Sequence, residues 1–209
     1  MRKLCCLLLA LISGGSAPSL VSAATLCDAH VGFSADRTLM LDGHTYTGKI
    51  WTMPGKERHE QTIHAFSPVF ILRNDTPLGE IVLPQMKTIV QFTMPAELRV
   101  LDIPQLTKHP AGSETVNGIA TTKYAIDETV PEGHAEGTLW LSRDGIPMKL
   151  DGSFTRNSGR AAKVHWELNH VKIGPQPASL FEAPQGFSKL PPEAIAPLLG
   201  LRLKPASHS

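Results

Sequence analysis

The chain has 209 residues, 42% of them hydrophobic, and a formal net charge of +1. That length suffices for one domain with a sizeable core. A near-neutral chain without a basic patch argues against nucleic acid as a partner and against electrostatic attachment to anionic lipid.

Arg2 and Lys3 precede an apolar run from Leu4 to Ile12 that is too short to span a bilayer. A Ser/Gly/Pro-rich segment follows, and Val21-Ser22-Ala23 fits the small-x-small cleavage pattern. Residues 1–23 therefore read as a secretory signal peptide, cut after Ala23 or Ala24. Its removal takes Cys5 and Cys6 and leaves Cys27 as the single thiol, so no internal disulfide is expected. It also leaves 18 basic against 19 acidic residues, a charge of −1. Leu26 stands where a lipoprotein signal needs a small residue, so Cys27 is not expected to carry lipid. Residues 24–209 are expected to form one soluble, exported domain. The Ala-rich cleavage region and the lack of paired cysteines favour a bacterial periplasm.

In chain order, Val31, Phe33 and Ala35 alternate with polar or small residues and predict a first strand. Asp42-Gly43 predicts a hairpin turn, and Tyr46 to Met53 the return strand, with Trp51 its large apolar residue. Pro54-Gly55 is a turn or bulge. Glu57 to Ile63 carries little apolar content and is expected as a solvated or edge strand, with Glu57 and Glu60 beside Arg58 as a solvated charge run. His59 and His64 face opposite ways on a regular strand and make a poor metal pair. Pro68 to Asn74, PVFILRN, is an apolar strand followed by a turn through Gly79. Glu80 to Leu83 and Thr88 to Met94 are further strands, the second with Val90, Phe92 and Met94 on one face. From Pro95 the period changes. Met94, Leu98 and Leu101 fall at i, i+4 and i+7, which predicts a short amphipathic helix to about Ile103, ended by Pro104. Such a stripe is ordinarily core cover; the functional alternative is a movable lid over an apolar cavity.

A loop is expected through Gly112, then strands at Glu114–Gly118 and Ile119–Ile126. The clearest element is the hairpin Glu136–Thr155. Its turn is Arg143-Asp144-Gly145, and its return strand sets Ile146, Met148, Leu150 and Phe154 against Lys149, Asp151, Ser153 and Thr155. Lys163 to Ile173 places Val164, Trp166 and Leu168 on one face, then shifts phase to Val171 and Ile173. That slip predicts a bulge near Asn169-His170. His165 and His170 read as surface polar positions. In the Pro-rich tail, Ala178 to Phe181 predicts a single turn and Glu193 to Leu199 a short helix. About ten strands with little helix indicate a mainly-β chain built on a single strongly curved, partly closed antiparallel sheet.

The sequence holds no serine nucleophile elbow, no HExxH, no paired cysteines and no glycine-rich phosphate loop. The reading is therefore non-enzymatic, without cofactor or metal. What remains is an apolar sheet face with little helix to cover it. Either the sheet closes over its own core or it leaves a groove fit for an acyl chain.

Three short signatures extend this. Gly48-Lys49-Ile50-Trp51 followed by Pro54, the Arg143-Asp144-Gly145 hairpin, and the stretch from Pro177 through Phe181 and Pro184 to Gly186 occur in an order and spacing that resembles the LolA/LolB-like periplasmic lipoprotein-carrier superfamily and its outer-membrane lipoprotein-sorting relatives. The resemblance implies an unclosed β-barrel of about eleven strands wrapped around short lid helices. It implies a hydrophobic cavity that shields acyl chains in transit across the periplasm. Where the family's carrier has an arginine just before the strand-ending proline to hold its lid, this sequence has Met53, with Arg58 nearby. The expected cavity or core residues are Phe33, Trp51, Val90, Phe92, Met94, Leu98, Leu101, Trp140, Met148, Leu150, Trp166 and Leu168. The expected partners are an acylated lipoprotein or lipid cargo and inner- or outer-membrane proteins, with the chain itself monomeric. A regulatory or sensor module that binds a protein partner, and a packed structural envelope protein, are the alternatives on the same fold.

Overall fold

The structure, a computed structural model, describes residues 29–62, 67–73, 78–93, 108–130 and 133–191. One meander contains β1 (Phe33–Leu41), β2 (His44–Met53), β3 (Lys56–Gln61), β4 (Val69–Arg73), β5 (Leu78–Leu83) and β6 (Thr88–Thr93). A second contains β7 (Lys108–Val116), β8 (Ile119–Val130), β9 (Gly133–Ser142), β10 (Pro147–Arg156) and β11 (Ala161–Ile173), and β12 (Ser188–Leu190) follows. All twelve join one curved, unclosed sheet in the order β12-β6-β5-β4-β3-β2-β1-β11-β10-β9-β8-β7. Every pairing is antiparallel except β12 with β6. The expected single unclosed antiparallel sheet is what forms, with twelve strands where about ten were predicted. A twisted sheet this wide curls.

Local chemistry sets the corners. Asp42 and Gly43 take φ of 48° and 82° between β1 and β2, the two positive values of a type I′ hairpin turn. In the β9–β10 turn, Ser142 N donates to Ile146 O at 2.9 Å, and Ser142 Oγ accepts from the backbone N–H groups of Asp144 and Ile146. The predicted phase slip in the last long strand is a bulge: Ser34 and Asp36 of β1 face Lys172 and Asn169 of β11, and His170 takes φ 51°.

Two expectations are corrected. Glu57 to Ile63 was expected as a solvated or edge strand, but Lys56–Gln61 forms β3 in the sheet interior, between β2 and β4, with Glu57, His59 and Gln61 buried. The segment before Gly112 was expected as loop, but β7 already begins at Lys108, and a register shift between Pro110 and Gly112 absorbs the proline. The signal peptide, Cys27, the Pro95–Ile103 helix and the Glu193–Leu199 helix lie outside the described residues.

Register sorts the side chains into two faces. One row runs Tyr124, Leu139, Leu150, Trp166, Leu39, Tyr46 across β8, β9, β10, β11, β1 and β2. A second row on the same face runs Ala35, Ile50, His59, Phe70, Ile81, Val90, Leu190 from β1 to β12. This is the apolar face, and most of its large side chains are buried. On the opposite face, β8 to β11 carry charge: Lys149 pairs with Asp151 at 2.9 Å, and His165 lies between Asp151 and Glu167.

The opposite face of β3 to β6 is covered instead by the chain that leaves β11. After Pro177 a single 3-10 turn, Ala178–Phe181, buries Phe181 completely. Arg58 Nη1 donates to Leu180 O at 3.1 Å, Arg73 Nη1 to Phe181 O at 3.4 Å, and Glu182 meets Arg73 at 3.3 Å. Ala183 and Phe187 then pack on Val69, Ile71, Val82 and Ile89. This strap explains why β4 reads as an unbroken apolar run: Val69 and Ile71 meet the strap while Phe70 and Leu72 point to the apolar face.

Candidate functional site

Among the described residues, a buried charged cluster interrupts the apolar face at its centre. Arg37 of β1 continues the buried phase of Phe33, Ala35 and Leu39. Its register partner on β2 is Gly48, so no side chain separates it from the next strand. Gly48 is required there, because a Cβ would collide with the backbone carbonyl of Glu60 on β3. Across that gap Arg37 reaches β3. Nη2 donates to Gln61 Oε1 at 2.5 Å, and Nη1 lies 2.9 Å from His59 Nδ1. His59 Nε2 lies 2.7 Å from Glu57 Oε2. Arg37, Glu57, His59 and Gln61 expose only 2%, 1%, 1% and 4% of their surface, so this is a core cluster rather than a surface one.

Chemistry assigns the protons. Guanidinium only donates, so Nδ1 of His59 accepts from Arg37, and Nε2–H donates to Glu57. The imidazole is neutral, and burial, which outweighs the help from Glu57, holds its pKa below the usual value. Burial also lowers Arg37 to about 10, partly offset by the charge of Glu57, and it remains a cation at neutral pH. Trp166 packs on both: the guanidinium sits 5.6 Å from its ring centroid, and the His59 ring meets it edge-on at 6.4 Å. Trp166 Nε1 donates to Pro147 O at 2.9 Å, which fixes the indole. Two buried atoms of this face make no hydrogen bond: Arg37 Nε and Thr52 Oγ1. Each such orphan costs about 1–3 kcal/mol.

Of the residues expected to line a cavity, Phe33, Val90, Leu150, Trp166 and Leu168 share this face and are buried. Met148 is fully buried at the register shift where β10 meets Leu141. Phe92 pairs with Gly79 in the β5–β6 register. Trp51 and Trp140 lie on the opposite face. Trp51 is paired with Arg58, whose guanidinium lies 5.9 Å from the indole. Trp140 sits between Lys123 and Lys149, with its Nε1 donating to Glu114 at 3.0 Å. The period of two puts Trp51 across the sheet from Ile50 and Thr52, and Trp140 across it from Leu139 and Leu141, and Trp140 is nonetheless buried in the same core cluster as those leucines. Met94, Leu98 and Leu101 lie outside the described residues.

The cluster of Arg37, Glu57, His59 and Gln61 escaped the sequence reading. KERHEQ alternates one polar set with another, so its period carries no hydrophobic signal. The usable signal lay in β1, where a charged residue, Arg37, occupies the phase of Phe33, Ala35 and Leu39. Among the described residues no group of three or more His, Cys, Asp or Glu is placed to hold a metal. Both nitrogens of His59 are committed, which leaves it no lone pair to act as a base.

A single mainly-β sheet of twelve strands, open at both edges and apolar on one face, defines the fold class. No protein-family model and no curated protein matches the sequence. Among solved structures, an uncharacterized conserved protein from Thermus thermophilus is similar in fold, with a TM-score of 0.52 at 12% identity over 78% of this chain and 91% of that one. The complex of Pseudomonas aeruginosa MucA and MucB matches with a TM-score of 0.46 at 15% identity, over 75% of this chain and 57% of that one, so the chain spans little more than half of that neighbour. A LolA superfamily protein from Nitrosomonas europaea matches at 0.40 and 10%, over 73% and 90%.

Proposed function

We propose that the chain is an exported, non-enzymatic binder that shelters an acyl chain, free or carried by a lipoprotein, against the apolar face of its sheet in the periplasm. The observation that supports this is the asymmetry of the faces. The described strap covers the opposite face of β3 to β6, and charge covers the opposite face of β8 to β11. By register the apolar face extends from Leu139 to Val90, interrupted by the Arg37 cluster and Thr52, and no described second layer of helix or sheet lies on it. An acyl chain entering that face leaves water at about 0.8 kcal/mol per buried methylene. Release then requires a competing partner or a rearrangement.

A regulatory module that binds a protein partner is the second reading. It is favoured by β7, an end strand that among the described residues pairs with β8 alone and whose residues from His109 to Thr115 are exposed. Native mass spectrometry with lipid extraction, on protein purified from a periplasm without detergent, separates the two. A stoichiometric acyl lipid or lipoprotein is the result expected of the carrier. An apo mass that also fails to take up a fluorescent fatty acid overturns it, and a protein co-purifying in its place supports the regulatory module.

A further inference from the structure

The structure assigns a headgroup-recognition site to the Arg37 cluster: we propose that Arg37 Nε–H binds the uncharged ester or amide carbonyl at the head of an acyl chain. This rests on the binding reading above and specifies its ligand chemistry.

Three observations carry it. First, Arg37 is almost wholly buried on the face proposed to take the chain, flanked by Leu39 along its own strand and by Leu168 across from it. Second, its guanidinium is used incompletely. Nη1 and Nη2 are engaged by His59 and Gln61, while Nε has no partner. A buried donor left over beside satisfied ones gains from any acceptor that reaches it. The hydroxyl of Thr52, also buried and unpartnered, lies on the same face opposite Glu57. Third, the charge of Arg37 is already balanced. His59 connects it to Glu57 through two hydrogen bonds, so the cluster is a neutral unit made of one cation, one neutral imidazole and one carboxylate. A free carboxylate or phosphate would bring a second anion next to Glu57 in a buried setting. A carbonyl accepts from Nε–H and adds no charge. Ester-linked and amide-linked acyl groups share this chemistry.

The test compares four probes of equal chain length on the full-length mature protein: methyl laurate, N-methyl lauramide, laurate at mildly alkaline pH, and dodecane. Quenching or enhancement of tryptophan emission reports occupancy, and infrared difference spectra of isotope-labelled carbonyls report hydrogen bonding. The expected result is that the ester or the amide binds roughly tenfold more tightly than dodecane and more tightly than laurate, as one charge-assisted hydrogen bond allows. Its carbonyl band shifts to lower frequency. Whichever of the two binds better identifies the linkage. In Arg37→Lys, which keeps a cation but has no Nε, the preference over dodecane and the band shift are both lost. Equal binding of ester, amide and dodecane to the wild type, or an unshifted carbonyl, overturns this inference and leaves the apolar reading standing. Laurate binding more tightly than both carbonyl probes overturns it too. Failure of all four to bind overturns both readings. The wild-type comparison decides the matter even if Arg37→Lys does not fold.

Discussion

His59 has no nitrogen to spare. Nδ1 accepts from Arg37 and Nε2–H donates to Glu57, so a second proton would set an N–H against the guanidinium it now serves. Burial depresses its pKa, meaning the unfolded chain takes up a proton more readily than the folded one. Its contribution to stability is therefore complete above the unfolded value of about 6.5 and is lost as pH falls from there toward the folded value. Urea denaturation across this range should show a declining midpoint in the wild type. His59→Gln, which keeps an acceptor for Arg37 and a donor for Glu57 but does not titrate, should flatten that slope. An unchanged slope would mean that other histidines cause it. Thr52 makes the complementary case. Its buried hydroxyl has no partner, so Thr52→Val, close in shape, should raise the stability of ligand-free protein by about 1 kcal/mol in the same assay.

At the scale of single elements, what the sequence disclosed depended on whether polarity alternated with apolarity. The β9–β10 hairpin did so, and its turn, its buried Met148, Leu150 and Phe154 and its solvated Lys149 and Asp151 were all readable. So was the bulge at His170, because a slip of one residue changes which side chains are apolar. β3 was not readable: both of its faces are polar in sequence, and only the partner on β1 reveals that Glu57, His59 and Gln61 are interior. The strap was half-readable, as a turn without a destination, because what it covers is far away in sequence. Its energetic weight should be large. Phe181 is fully buried against the sheet, and Phe181→Ala should cost about 3–5 kcal/mol by denaturant titration. Within the hairpin, Gly137 and Gly152 face each other, and a Cβ on Gly152 would stand 2.5 Å from the backbone carbonyl oxygen of Glu136. Gly152→Ala must therefore push β9 and β10 apart, at about 1–3 kcal/mol. A neutral outcome would show that the pair has room to adjust.

At the scale of the whole molecule, the sheet joins its two meanders through β1 and β11, and that seam sets Arg37 beside Trp166. The middle of the apolar face is thus built by strands distant in sequence, while the polar site joins β1 to β3 across the glycine of the strand between them, so hairpin signals located the sheet but not the site. Leu150 occupies the row between Leu139 and Trp166 on this face, one strand from the seam. If acyl chains lie here, a ligand at a hundred times its Kd should stabilise the protein by about 2.7 kcal/mol, visible as a rise in melting temperature. Leu150→Arg places a charge in the middle of the row and should abolish that rise. Ser153→Arg, on the opposite face of the same strand, should keep it, since its neighbour there is the exposed Glu136. Far-ultraviolet circular dichroism of both variants establishes that the sheet is intact. A Leu150→Arg protein that is folded and still gains the full thermal shift would move the acyl chain to another surface, and equal loss in both variants would point to a general weakening of the sheet rather than to a binding face.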